Sequence, residues 1–210
     1  MNLRLELNSD AIEYVALFAQ ATNAGMFSTN EATSGAGVVD ESDPHCAVLT
    51  LSGVDPESLL GLLRMLTAAR LPMPVQMRGM ALQRGDPPLE ERLRADLRNL
   101  VSVEGVGELS GEALFMSVRS LSAASLYETV IPIVALWEQL LVRQVFPYER
   151  NDSGVASTDG VEVYEISDEA VELATRSYSG AEEGIAALVH GTATQLQRAG
   201  VVFHITCWTA

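Results

Sequence analysis

Lysine is absent from this chain of 210 residues. Without an ε-amine there is no Schiff base with a carbonyl substrate or pyridoxal phosphate. Nor can a GxxxxGK[ST] nucleotide loop be completed. Arginine is missing too between Leu5 and Leu63, a stretch that holds nine acids. Cysteine is scarce, and Cys46 and Cys207 alone cannot make a disulfide framework for a protein this size. The longest apolar run, Thr129 to Trp137, stops after nine residues at Glu138, too short to cross a bilayer. Residues Met1 to Asp10 alternate leucine with polar residues and hold no secretory h-region. These shortages predict a cytoplasmic, reduced protein that makes no membrane contact. The all-arginine usage reads as codon bias in a GC-rich genome, bacterial or phage.

What is present is acid. Asp and Glu number 28 against 13 arginines, a formal charge of −15 at pH 7. With 48% apolar and 20% charged residues, the composition is globular and long enough for one sizeable core. The field repels nucleic-acid phosphates and favours basic partners at low salt. It is also uneven. Arg64 to Arg98 packs seven arginines against four acids, whereas Glu149 to Glu183 holds ten acids and two arginines, a net of −8. Some of the arginines pair along one helix, Glu90 with Arg94 and Arg92 with Asp96. The acids Glu149, Asp152, Asp159, Glu162, Glu165, Asp168, Glu169 and Glu172 are the candidate partner-binding set.

Periodicity predicts an α+β fold: a mixed sheet of about five to seven strands packed against helices, with a long proline-kinked central helix. Leu3, Leu5 and Leu7 mark a strand, and Asp10 with Glu13 opens a helix to about Asn23. Met26 to Pro44 reads as a long loop, Cys46 to Leu51 as a strand, and Asp55-Pro56 as a helix start. A strand at Val75 to Leu82, a helix at Leu89 to Leu100 and strands at Val101 to Val106 and Ala113 to Arg119 follow. Ser122 to Phe146 is the central helix, about 37 Å long, with Pro132 to kink it and Pro147 to end it. Beyond a turn-rich stretch at 148–160, Val161 to Ile166 is a strand and Ser167-Asp168 caps a helix. Ser179 with Glu182 opens the last helix, Gly200 closes it, and Val201 to Trp208 is the final strand. The whole reads as a single domain over 1–210, with a loop or linker near 148–160. A Ser-Asp echo links Leu3–Val15 to Val161–Leu173, and reads as shared helix-start chemistry rather than duplication.

No motif commits the chain to a reaction. His204 and Cys207 lie three apart in a strand and so face opposite ways, against a metal site with His45 and Cys46. Gly105, Gly107 and Gly111 are spaced GxGxxxG beside Glu104 and Glu108, which is a turn between strands rather than a dinucleotide fingerprint. There is no GxSxG elbow. Glu128 and Glu138 would lie about 15 Å apart along their helix, too far to share a substrate atom. His190 falls on the polar flank of its helix, facing solvent. His204, Thr206 and Trp208 share one face of the last strand, a possible pocket. The expectation is therefore a non-enzymatic, acidic protein-binding module, inhibitor or immunity-like, that docks a basic protein. It names no catalytic residue, cofactor or metal. The alternatives are a subunit of a homomeric, phage or secretion assembly, and a small enzyme working at that pocket.

Overall fold

The computed structural model describes residues 2–8, 12–27, 36–43, 46–52, 56–69, 76–78, 101–103, 114–120, 126–146, 157–158, 160–167, 169–175, 178–179 and 182–209. In the first part come β1 (Asn2–Asn8), α1 (Ile12–Asn23), β2 (Ala36–Asp43), β3 (Cys46–Ser52), α2 (Pro56–Ala68) and β4 (Gln76–Arg78). Then follow β5 (Val101–Val103), β6 (Leu114–Ser120), α3 (Tyr127–Val142), β7 (Ser157–Thr158), β8 (Val161–Ile166), β9 (Ala170–Thr175), β10 (Tyr178–Ser179), α4 (Glu182–Arg198) and β11 (Phe203–Thr209). The fold is α+β. Its strands do not form the one mixed sheet expected. Among the described residues they divide into a four-stranded sheet, β2-β3-β1-β4, a five-stranded sheet, β5-β11-β6-β9-β8, and a short ribbon of β7 with β10.

The two sheets belong to two copies of one unit. Residues 2–78 run β-α-β-β-α-β, and so do β6, α3, β8, β9, α4 and β11, the split βαβ arrangement. In each, the order is second, third, first, fourth strand, all antiparallel. Leu5 lies opposite Leu49 in one, and Met116 opposite Leu173 in the other. Each second strand also slips register shortly before its hairpin turn, between Asp40 and Asp43 and between Val163 and Glu165. The added strand β5 runs parallel to β11 at the margin of the second sheet.

Three helices end alike. The N–H groups of Met26, Val145 and Val201 donate to carbonyls five residues back, on Ala21, Leu140 and Leu196. Gly25, Gln144 and Gly200 occupy the left-handed position before them. This is the Schellman stop. It, rather than Pro147, ends the central helix, which spans 16 residues and about 24 Å, short of the Ser122–Phe146 span. Pro132 sits inside it, on its exposed side.

The helices of the two units pack against each other, with one continuous core between the sheets. The Trp137 side chain is fully buried and its indole N–H donates to the Gly184 carbonyl at 2.7 Å. Across the seam Arg64 donates to the Val145 carbonyl at 3.2 Å, and Gln195 to the Ala24 carbonyl at 3.1 Å. Phe27 stacks on Phe18 at 4.6 Å and meets Phe146 of the second unit at 6.2 Å. Arg143 lies over the Tyr14 ring at 4.7 Å, a cation–π contact. Residues 184–193 of α4 are buried on every side, because the helix is covered by its own sheet and by neighbouring helices. His190 is therefore buried, 6% exposed, and its expected exposure is corrected.

Two further expectations change. Part of the Met26–Pro44 loop is strand β2, paired with β3 on one side. Ser167-Asp168 does not start a helix. The Ser167 hydroxyl accepts from the N–H groups of Glu169 (3.3 Å) and Ala170 (2.9 Å), while Ser167 N–H donates to the Ala170 carbonyl at 2.9 Å. The same hydroxyl chemistry serves a helix start or a tight turn. Here the following Val171, Leu173 and Thr175 alternate into the core, which decides for a strand. The Leu89–Leu100 helix, the glycines 105–111 and residues 148–156 lie outside the described residues.

Candidate functional site

The acid-rich segment forms a hairpin. β8 and β9 pair around the Ser167 turn, and β7 with β10 prolongs the same ribbon: Val161 opposes Thr175, Thr158 opposes Tyr178, Ser157 opposes Ser179. Gly160, at φ 124°, turns the chain between β7 and β8. A carboxylate oxygen of Glu138 on α3 accepts the Val161 N–H at 3.2 Å. That bond fixes the root of β8 to the core, and gives Glu138 a structural task.

Of the candidate partner-binding acids, Glu162 and Glu165 lie in β8, Glu169 is exposed in the turn, and Glu172 is in β9. Glu165 lies opposite Glu172 in register. Glu172 is half-buried and engaged: Arg119 donates to it at 3.3 Å and the Ser117 hydroxyl at 3.2 Å. Glu149, Asp152, Asp159 and Asp168 lie outside the described residues.

β8 is also the margin of its sheet, with β9 on one side and no strand on the other among the described residues. Three of its apolar residues meet solvent: Val163 is 38% exposed, Tyr164 63% and Ile166 54%. As a surface feature they were not expected from the sequence. Their signal is a slip in phase: Val161 and Val163 share one face, but the next apolar residue of that face is Ile166, not Glu165. The extra residue is the bulge, which leaves Tyr164 unmatched in the register and exposed.

The third candidate, at the last strand, sits on the sheet face away from the helices. Phe203, Ile205 and Cys207 are buried on the inner face, while His204 and Thr206 alternate with them, half-buried. His204 lies opposite Arg119, Thr206 opposite Ser117, and Trp208 opposite Phe115. The side chain of Trp208 is outside the described part. His204 and Cys207 therefore face apart, as their spacing requires. Burial pushes the Cys207 thiol up to about 12, so it is an inert packing group at neutral pH. No helix among the described residues is long and apolar enough to cross a membrane.

No family model matches this chain. No curated protein matches it. Among solved structures it is similar to the crystal structure of an unknown protein from Galdieria sulphuraria, at 10% identity and a TM-score of 0.26, over 100% of this chain and 97% of that one. It is also similar to a proposed glycine cleavage system transcriptional repressor, at 11% identity and a TM-score of 0.26, over 100% and 97%. At that score neither likeness bears on fold or function.

Proposed function

We propose that the protein is a non-enzymatic binding module, inhibitor or immunity-like in kind, whose acidic hairpin docks a basic protein. The observation that carries the reading is one of placement: Glu162, Glu165 and Glu169 share a hairpin whose outer strand carries exposed apolar residues. Apolar contact supplies affinity there, while the charge steers the encounter and excludes acidic competitors. The chain's charge of −15 adds a long-range field of the same sign.

The test is a pull-down of basic proteins, identified by mass spectrometry, across a salt series. The Debye length shrinks from about 10 Å at 0.1 M to about 3 Å at 1 M, so capture should fall steeply with salt. Capture indifferent to salt would refute electrostatic docking.

A further inference from the structure

We infer that the edge of β8 that no strand covers among the described residues takes an extended, basic segment of the partner protein as an added strand. The inference rests on the docking reading above and supplies its geometry. A marginal strand offers a row of backbone donors and acceptors that another extended chain can pair. In β8 the Val161 N–H is already held by Glu138, and the Ser167 N–H by the Ala170 carbonyl, so the pairing length runs from Val163 to Ile166. Exposed Val163, Tyr164 and Ile166 offer apolar contact to alternate residues of an incoming strand. Glu162 and Glu165 intersperse acids among them, so the complementary strand alternates apolar with basic residues.

The same acids select against a second copy of this chain. Two β8 strands laid edge to edge bring Glu162 and Glu165 of both copies to one seam. Like charges gathered there repel, and each copy brings a further excess of negative charge. The bulge at Tyr164 also twists the edge away from a flat, indiscriminate pairing. An arginine-bearing strand reverses the sign of both electrostatic contributions.

The probe is a short, end-capped peptide alternating arginine and valine, titrated against the full chain. One control has the same composition in two blocks; a second carries N-methyl groups on alternate backbone nitrogens. The added strand predicts binding at low salt, about tenfold weaker with the N-methylated peptide, and slowed amide exchange at residues 163–166. Tyr164→Lys and Ile166→Lys, both at exposed positions, should abolish binding while circular dichroism stays unchanged. If all three peptides bind alike and weaken with salt, docking stands and the added strand is overturned. No binding of the alternating peptide at low salt also overturns the strand, while the protein pull-down decides docking separately. Light scattering that finds a dimer lost in Tyr164→Lys would assign the edge to a second copy instead, and overturn the basic partner.

Discussion

The first unit ends its leading helix on Gly25, at φ 88°, and the second ends the equivalent helix on Gln144, at φ 62°. Around those two residues the hydrogen bonds match, yet one position carries a side chain and the other does not. The first stop is pressed against the second unit: a Cβ on Gly25 would lie 2.5 Å from the Thr194 hydroxyl oxygen. Gln144 is exposed. The same stop thus needs glycine where a neighbouring helix closes on it, and accepts a side chain where it meets solvent.

Whether the two units are one cooperative body is the sharpest way to break that comparison. Phe18 and Trp137 are among the largest fully buried side chains, one in each unit. Either alanine substitution should cost about 3–5 kcal/mol. Because the core is continuous and Phe27 bridges Phe18 to Phe146, both variants should show one thermal transition, shifted down. A Phe18→Ala melt in two steps, with the second unit's transition unmoved, would mean that each unit stands alone.

The helix stops give a reciprocal pair of smaller effects. Gly25→Ala combines a left-handed backbone with a clash at the seam, for a loss of about 2–4 kcal/mol. Gln144→Gly removes the backbone strain at an exposed site and should stabilise by about 1 kcal/mol. Denaturant midpoints measure both. Effects equal in size and opposite in sign would show that the seam imposes nothing on α1 beyond its own geometry.

Local chemistry was legible in the sequence and long-range partnership was not. Asp55-Pro56 marked the start of α2, and the alternating leucines marked β1, because capping and period-two patterning are written in neighbouring residues. The repeat went unseen because it joins β1 to β6 and β3 to β9, strands far apart in the chain, while the Ser-Asp echo matched a helix entry to a hairpin turn. Ser167 misled for the same reason: its hydroxyl serves either. His190 was placed in solvent by a helix pattern that assumes one buried face, but α4 has neighbours all round. At the candidate site the acids were found, because charge is composition. The margin position of β8 was not, because strand order is settled by pairing across the chain. The phase slip at Tyr164 was the one local trace of it.

The smallest expected effect bears most directly on the hairpin. If Leu5 is matched to Met116 and Leu49 to Leu173, Asn8 stands in the place of Arg119 and Val48 in that of Glu172, and the ion pair is particular to the second unit. The two side chains are 66% and 32% exposed, a setting in which ion pairs contribute little. Arg119→Ala should therefore cost about 0.5 kcal/mol of stability. It also leaves Glu172 without its guanidinium, opposite Glu165 in register, and so raises the negative field beside β8. The alternating arginine–valine peptide should bind the variant more tightly at low salt and no differently at high salt, where the field is screened. A loss of several kcal/mol with unchanged peptide affinity would instead make the pair a structural tie, and would show that charge on this sheet face does not reach the strand margin.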